Sequence, residues 1–341
     1  MLSPSAAFWL VAGLLVLLLF AASAPSPLYA IYQANFAFSA ITLTAIYASY
    51  ALGGVVALLF AGRLSDHFGR RPVLLAGLVI DIASMLTFVA ATNVPMLFLG
   101  RIVAGVGTAL GAGVVSAWLL DLRPGDAKLA SVLTGVCTLL GLGVGAFVSG
   151  LFVEFGPDPL HLVYWVLAVA YAIAAVAVLV IPEPISRRGG WLASMRPMIG
   201  VPAVVRPMFM ASAPALVGMW ALTGLYLSLG PSLAISVLEA ESRLAGGAVI
   251  LALAGAGAVS SYAFQRADPA ATLVRGCVVL LAGIAVTLVG VWLNSAPLLF
   301  AGSVVAGAGL GPAFVAFVRI VAPLAPAESR GALIGAIYVV S

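Results

Sequence analysis

The chain has 341 residues, of which 64% are hydrophobic and only 8% are charged, with a mean hydropathy of +1.22. A soluble domain carries about a quarter of its residues as charged side chains, so this chain has too few to cover a surface that faces water. Composition therefore excludes most soluble enzymes, and the 15 Lys and Arg residues are too scattered to form a nucleic-acid surface.

Apolar stretches separated by short polar breaks follow one another along the chain. A helix needs about 20 apolar residues to cross a bilayer. By this criterion the sequence predicts an all-α polytopic membrane protein. Its ten spans are expected at residues 8–31, 40–61, 72–91, 95–120, 129–152, 160–182, 207–230, 245–264, 272–293 and 297–320. An eleventh apolar stretch begins near residue 331 and runs to Ser341.

Basic residues mark one side of this predicted topology. Short loops that are rich in Lys and Arg stay in the cytoplasm. With the N-terminus inside, every Lys and Arg except Arg101 and Arg243 lies in or beside an inner loop. We therefore expect a multi-pass protein of the cell inner (plasma) membrane with a cytoplasmic N-terminus.

The two halves of the chain resemble each other. Residues 100–107 align with residues 302–309, and the same offset places Asp66 on Asp268 and residues 124–128 on 326–330. Parallel halves around a midplane site are a recurring plan in secondary transporters. The sequence thus predicts tandem six-helix bundles. The N-terminal bundle is expected at 1–182, a cytoplasmic linker at 183–206 and a second bundle at 207–341, with four complete helices and part of a fifth. On this repeat the second bundle would end about 40 residues after Ser341, so we expect a C-terminal truncation.

One polar loop carries the most specific motif, Gly62-Arg63-Leu64-Ser65-Asp66-His67-Phe68-Gly69-Arg70-Arg71. It resembles the inner-loop signature of the major facilitator superfamily, G-x-L-x-D-[R/K]-x-G-R-[R/K], with His67 where a basic residue is usual. The run Arg101-x-x-x-Gly105-x-Gly107 extends the resemblance. A generic inner loop would explain the arginines but not the two glycines and Asp66. The resemblance implies a major facilitator fold and a transporter of the bacterial drug/proton antiporter type.

The resemblance also implies that this loop is a conformational latch that closes the cytoplasmic side. Its residues would be Gly62, Asp66, Gly69, Arg70 and Arg71, with Asp268 as the repeat copy. Asp66 would face the start of the eleventh span, where unpaired N–H groups favour an acid. The repeat predicts a weaker mirror contact between Asp268 and the start of the fifth span near Asp126. His67 either makes the latch sensitive to pH or is a tolerated polar residue.

Two charges, Asp81 and Arg101, lie inside predicted spans. Each costs roughly 2.5–3.5 kcal/mol at the centre of a membrane helix, so each needs a partner or a wet cavity. Their depths in the third and fourth spans differ little, and we expect them to be able to pair with each other. Alternatively, Arg101 faces the central cavity and holds an anion or tunes a proton-accepting carboxylate, as the resemblance implies.

Glycine-rich runs occur in the fourth, fifth and tenth spans. Small residues four apart let membrane helices pack closely. We expect this role for six glycines: Gly105, Gly107, Gly141, Gly145, Gly307 and Gly309. The run around Gly141 and Gly145 also resembles the G-x-x-x-G-P-x-x-G-G motif of exporters in the superfamily, but Leu142 replaces the proline. This motif favours export over uptake.

Candidate cavity residues come from the first and seventh spans, because these spans line the pathway in the major facilitator superfamily, which the chain resembles. They are Tyr29, Trp220 and Tyr226. Tyr29 and Tyr226 lie near outer ends, where aromatic residues often anchor a protein at the interface. Trp220 lies deeper, so it is either a cavity residue or a lipid-facing one. The spans have almost no Asn, Gln, Asp or Glu, which favours apolar or amphipathic substrates over sugars.

The sequence therefore predicts a secondary active transporter that works by alternating access and exports apolar or amphipathic compounds in exchange for protons, as a multidrug efflux antiporter does. Alternatives are an uptake symporter for a small metabolite and a non-transporting scaffold or inactive fragment. An enzyme is not expected, because nucleophiles and metal ligands do not cluster. We expect a small-molecule substrate, protons and the lipid bilayer as partners, no cofactor, metal or nucleic acid, and a monomer.

Overall fold

The computed structural model describes residues 2–61, 64–183, 201, 203–238, 244–321 and 324, and these residues form helices and no strand. Twelve α-helices are described: α1 (Pro4–Ser23), α2 (Tyr29–Phe36), α3 (Ala40–Ala61), α4 (Leu64–Phe68), α5 (Arg70–Val89), α6 (Val94–Leu122), α7 (Ala127–Phe155), α8 (Leu162–Val178), α9 (Arg206–Leu238), α10 (Leu244–Ala263), α11 (Pro269–Trp292) and α12 (Ala296–Val321). The all-helical membrane fold predicted from the sequence is confirmed.

Each of the ten predicted spans corresponds to a long helix or, for the first, to the pair α1 and α2. Nine of these segments in the described part of the chain are long and apolar enough to cross a membrane, and α8 is a shorter apolar helix. The predicted ends of the spans agree less well with the observed ends of the helices. The seventh span continues past the Gly230-Pro231 pair as far as Leu238. In a membrane, neighbouring helices let a helix tolerate an internal proline.

The helices pack in two groups. In the first group α6 lies between α3 and α5, α5 also contacts α8, and α1 packs against α6 and α7. In the second group α12 packs against both α10 and α11, and α9 contacts α10 and α12. The division of the chain into bundles at 1–182 and 207–341, with a linker at 183–206, stays a prediction. Most of the expected linker lies outside the described residues.

The bundles meet mainly where α7 contacts α10, with a smaller contact between α3 and α9. Small residues make the first of these contacts. A Cβ atom added to Gly247 would lie 2.5 Å from the carbonyl oxygen of Ala146, and one added to Gly143 would lie 3.0 Å from the Cβ of Ala254. The backbones of α7 and α10 therefore touch almost directly.

The structure corrects one part of the repeat alignment. A Cβ atom on Gly77 of α5 would face the carbonyl oxygen of Gly107, and one on Gly276 of α11 would face that of Gly309. These two crossings are equivalent, so α5 and α11 align three residues away from the offset that fits α6 and α12. Asp268 is consequently the counterpart of Gly69, which likewise immediately precedes its helix, and not of Asp66.

Candidate transport pathway

Gly69 joins α4 to α5 in a conformation that favours glycine. Its φ is +96°, in the left-handed region. A Cβ atom there would also lie 3.0 Å from the carboxyl group of Glu183. The turn and the close approach of Glu183 together explain why the loop has glycine at this position. Gly62 of the same motif lies outside the described residues.

Arg70 is the centre of a charged network at the loop end of the first bundle. Its Nη1 donates to Asp66 Oδ1 at 2.7 Å and to Ser65 Oγ at 2.6 Å, and its Nε donates to Asp121 Oδ2 at 2.9 Å. Arg70 is buried, whereas the Asp66 side chain is 52% exposed. Arg70 thus ties α4 and α5 to the end of α6.

Glu183 closes the same network from the segment after α8. Its two carboxylate oxygens accept from the backbone N–H groups of Arg70, at 2.9 Å, and Arg71, at 2.7 Å. Arg71 Nη2 donates in turn to the carbonyl oxygen of Ile181 at 2.5 Å. An acid at these unpaired N–H groups stabilises the start of α5. Neither Glu183 nor Asp121 was predicted as a site residue, and their only sequence signal is an acid beside an apolar span.

The described residues contain only part of the expected latch. The start of the eleventh span, which Asp66 was expected to face, lies outside the described residues. The expected mirror contact does not form among the described residues. Asp268 instead accepts from the N–H of Ala271 at 2.8 Å and so caps its own helix α11. Asp126 does the same for α7, through the N–H of Leu129 at 3.1 Å. Both acids satisfy local backbone donors, as acids at N-caps do.

Arg101 lies where the first span is broken. Pro25 and Pro27 interrupt the span between α1 and α2, which leaves carbonyl oxygens at the end of α1 without helical donors. Arg101 Nη1 donates to the carbonyl oxygen of Ala22 at 2.7 Å, and Arg101 Nε donates to the Tyr29 hydroxyl at 2.8 Å. A cation at the C-terminal end of a helix is favourable.

Tyrosine rings enclose the rest of the Arg101 guanidinium. Its Cζ lies 4.1 Å from the ring centroid of Tyr47, and the rings of Tyr29 and Tyr50 lie at 5.4 and 5.5 Å. Ring faces attract cations, and more strongly when water is excluded. Only 1% of Arg101 is exposed, so the end of α1 and these rings, and not water, stabilise its positive charge. Tyr29 is buried in this cluster and does not lie at a water interface.

The expected pairing of Asp81 with Arg101 is wrong, because no ion pair joins them in the described part of the chain. Asp81 is fully buried, and its Oδ1 accepts from Thr108 Oγ1 at 3.3 Å. Thr108 is seven residues from Arg101 on α6, or about 10.5 Å along the axis. The crossing of Gly77 and Gly107 sets this register, which depth in a span does not reveal.

Asp81 and Tyr171 each leave a buried oxygen without a hydrogen-bond partner among the described residues, at Oδ2 and at the hydroxyl. They lie on neighbouring helices, α5 and α8. A buried polar group without a partner is costly. The interior between α5, α6 and α8 therefore holds the Asp81 carboxyl group, of which only one oxygen has a hydrogen-bond partner among the described residues.

A small cavity of about 40 Å³ lies between the bundles. Its lining comes from α7, α9 and α12: Gly135, Thr138, Leu139, Leu142, Met219, Trp220, Thr223, Leu310, Gly311 and Phe314. Trp220 is the one predicted cavity residue in this lining. Tyr226 instead shares a 2.6 Å hydrogen bond with the Thr287 hydroxyl inside the second bundle. Thr138, Thr223 and Phe314 were not predicted, because no sequence pattern separates them from lipid-facing positions.

The predicted packing glycines all lie against neighbouring atoms. A Cβ atom on Gly105 would lie 2.0 Å from the carbonyl oxygen of Tyr50, and one on Gly307 would lie 1.9 Å from that of Leu253. These positions correspond in the repeat, and both allow two backbones to approach closely. The remaining glycines, Gly107, Gly141, Gly145 and Gly309, would have a Cβ within 2.6 Å of another atom.

Comparisons with known proteins agree with this geometry. The family model described as Major Facilitator Superfamily matches residues 5–341. Multidrug resistance protein 2 of Bacillus subtilis (strain 168) is 28% identical over 153 residues, which are 43% of this chain and 37% of that protein. Tetracycline resistance protein, class C, of Escherichia coli is 38% identical over 126 residues, or 36% of this chain and 30% of that protein.

The solved structures that match this chain include one that covers all of it. The human organic anion transporter MFSD10 (TETRAN) superposes on 100% of this chain and 91% of its own, with a TM-score of 0.67 and 18% identity. At this identity the likeness shows the fold alone. The chain covers less than two-fifths of the length of either resistance protein.

Proposed function

Because the chain belongs to the Major Facilitator Superfamily, a family of transporters and not of enzymes, we propose that it exports small apolar or amphipathic compounds by alternating access. The multidrug and tetracycline resistance relatives support export as the direction. We further propose that this export is coupled to the opposite movement of protons, as in an antiporter. We also propose that the protein acts as a monomer.

The observation that carries the proposal is the cavity between the bundles. Residues of α7 line it from the first bundle, and residues of α9 and α12 line it from the second. None of the described lining residues is charged. Such a site favours compounds that lose little hydration on entry, and it changes shape whenever the two bundles move relative to each other.

Asp81 is our candidate for the coupling residue. It is buried within the membrane, and Oδ2 has no hydrogen-bond partner among the described residues. Acids inside membrane spans commonly belong to proton relays. It does not line the cavity, so coupling would act through the packing of α5 and α6. If Asp81→Asn keeps full flux driven by a pH gradient, the coupling residue is another one.

The membrane and the orientation also belong to this proposal. We place the protein in the inner (plasma) membrane with its N-terminus in the cytoplasm, because nearly all basic residues then lie inside. Labelling of single cysteines by an impermeant maleimide tests this. A cysteine at Asn294 should react in intact cells, and one at Arg266 should react only in inverted vesicles.

Flux into inverted membrane vesicles tests the transport function. Labelled tetracycline and a labelled neutral aromatic compound are offered with and without an inward-acid pH gradient. Accumulation that collapses when the gradient is removed supports proton-driven export. Accumulation only in right-side-out vesicles would favour the uptake alternative. One similar protein, the Arabinose-proton symporter of Bacillus subtilis (strain 168), is 29% identical over 105 residues. No flux in either orientation would favour a scaffold or an inactive fragment.

A further inference from the structure

A long groove lies between α10 and α12 on the lipid-facing surface of the second bundle. Its volume is about 560 Å³, which is typical of ligand sites, and its walls are open, since Val259, Phe264 and Val304 are all exposed. We propose that this groove binds one acyl chain of an anionic phospholipid, whose phosphate is held by Arg266 and Arg319. The proposal concerns the surface that faces the lipid, so it does not rest on the proposed transport function.

The shape and chemistry of the groove suit a hydrocarbon chain. The groove follows α10 from Leu251 to Phe264, or about 20 Å at 1.5 Å per residue, and half of the hydrocarbon core of a bilayer is about 15 Å thick. Ser260 is the one polar residue in the described lining, and its hydroxyl donates to the carbonyl oxygen of Gly257 in its own helix at 3.1 Å. The groove is therefore long enough for one acyl chain of one leaflet, and its walls are apolar.

Gly255, in the middle of the groove, is a glycine that helix packing does not explain. A Cβ atom there would meet no atom within 4 Å, although glycine is unfavourable inside a helix. Other glycines of α10 do face a neighbouring backbone. A Cβ atom on Gly247 would lie 2.5 Å from the carbonyl oxygen of Ala146, and one on Gly257 would lie 3.2 Å from that of Gly307. The space beside Gly255 is thus left for a group from outside the protein.

The equivalent surface of the first bundle carries larger side chains. The matching crossings of α3 with α6 and of α10 with α12 place Leu52 where the second copy has Gly255, and Phe60 where it has Ala263. Leu52 and Phe60 are both exposed. The first copy therefore has its own large side chains at positions where the second copy leaves space for lipid.

Two arginines lie at the end of the groove that Phe264 lines. Arg266 follows α10 and is exposed, and Arg319, in the last turn of α12, donates to the carbonyl oxygen of Ala267 at 2.9 Å. Asp268, the neighbouring acid, caps α11, so two positive charges and one negative charge meet here. A guanidinium binds a phosphate through two parallel hydrogen bonds, and basic sites between membrane helices bind the headgroups of anionic lipids.

The groove and the arginines have different roles in this site. The interior of a bilayer is as apolar as the groove, so an acyl chain gains packing contacts there but little hydrophobic free energy. The groove therefore fixes the position of the lipid, and the arginines select an anionic headgroup. On the proposed orientation of the protein, that headgroup belongs to the cytoplasmic leaflet.

Native mass spectrometry of the purified full chain, released from detergent micelles, tests the proposal. The probes are palmitoyl-oleoyl phosphatidylglycerol, which is anionic, and the phosphatidylcholine with the same chains, which has no net charge. The unchanged protein should bind its first phosphatidylglycerol several-fold more tightly than its first phosphatidylcholine. Arg266→Gln should reduce this preference about fivefold, the effect of one basic residue on an anionic lipid. Gly255→Leu should weaken the binding of both lipids, because the new side chain fills the groove.

Arg275→Gln and Gly218→Leu are the matched controls. Arg275 is an exposed arginine of α11 that does not line the groove, and a Cβ atom on Gly218 of α9 would meet no atom within 4 Å, as at Gly255. Both variants should bind the two lipids as the unchanged protein does. Equal binding of the two lipids, or equal losses in the controls and the groove variants, overturns the proposal. A dimer that Gly255→Leu dissociates also overturns it, because a second copy of the chain would then occupy the groove.

Discussion

The two bundles share a helical plan but differ in what they bury. The first bundle has a broken first span and encloses Arg101 and Asp81. The second has a continuous first helix, α9, and Ser303 where the repeat places Arg101. The Ser303 hydroxyl donates to the carbonyl oxygen of Leu299 in its own helix. The same helical repeat thus tolerates buried charges in the largely apolar interior of one copy, whereas the buried polar residues described in the other copy are uncharged serines and threonines.

The loop ends differ in the same sense. In the first bundle Arg70 joins Asp66 and Asp121 in a network that spans three helices. In the equivalent loop of the second bundle, Asp268 caps α11 and Arg319 donates to the carbonyl oxygen of Ala267 at 2.9 Å. Ionic contacts between side chains in the first copy are replaced by bonds between side chains and backbone groups in the second. Substitutions at equivalent positions should therefore have unequal effects.

The largest difference is expected at Arg101 and Ser303. Arg101→Leu removes two hydrogen bonds from a charged donor and leaves the Ala22 carbonyl and the Tyr29 hydroxyl unpaired, which should lower the free energy of unfolding by about 3–6 kcal/mol. Ser303→Ala removes an uncharged hydroxyl that bonds within its own helix and interacts with the Tyr226 side chain, and it should cost about 1 kcal/mol. Thermal unfolding in detergent micelles measures both. Equal shifts of the two variants would contradict the comparison.

Gly69→Ala is expected to cost about 2–3 kcal/mol, because a positive φ costs roughly 1–2 kcal/mol for a residue with a side chain and Glu183 must also move. Gly218→Ala is the control, since a Cβ atom there would meet nothing within 4 Å and α9 favours alanine at that position. Urea titration monitored by circular dichroism compares the two. A neutral Gly69→Ala would show that the loop adapts without strain.

Asp268→Ala should cost about 1 kcal/mol, the usual loss when a helix N-cap is removed. Because Asp268 contacts its own helix, we expect transport to remain unchanged once expression is matched. Hydrogen exchange should increase at the first turn of α11 and not in α7. Protection lost in α7 would instead support the mirror contact between Asp268 and the start of α7.

Asp66→Asn should have the smallest effect on stability, between about 0 and 1 kcal/mol, because the Asp66 side chain is half exposed. If the latch proposal is right, vesicle flux should nevertheless fall several-fold while membrane insertion is unchanged. Asp268→Asn provides the comparison and should retain flux. Unchanged flux in Asp66→Asn would remove the latch assignment.

Sequence reasoning predicted the helices well because apolar length is a local property. It also identified Gly69 and the packing glycines, since close backbone approach requires a residue type that is visible in the sequence. It misplaced the partners of Asp81 and Arg101, because the rotation and register of two helices depend on distant crossings such as that of Gly77 with Gly107. It aligned Asp268 with Asp66 because one offset cannot describe helices that differ by three residues.

Other site residues could not be predicted from the sequence, for a related reason. Glu183 contacts Arg70 across 113 positions of sequence, and the segment between them gives no sign of the contact. Thr138 and Thr223 look like ordinary threonines of membrane helices until the two bundles are placed together. Contacts between bundles, which matter most for transport, are those that a single sequence reveals least.

The direct contact of α7 with α10 has a consequence for how the protein would move. Bulky side chains that interlock must separate before two helices can tilt, whereas Gly143 and Gly247 present almost bare backbone to the other helix. Such a surface lets one helix roll over the other with little change in the buried area. We therefore propose that this pair is the pivot about which the two bundles rotate in the proposed transport cycle.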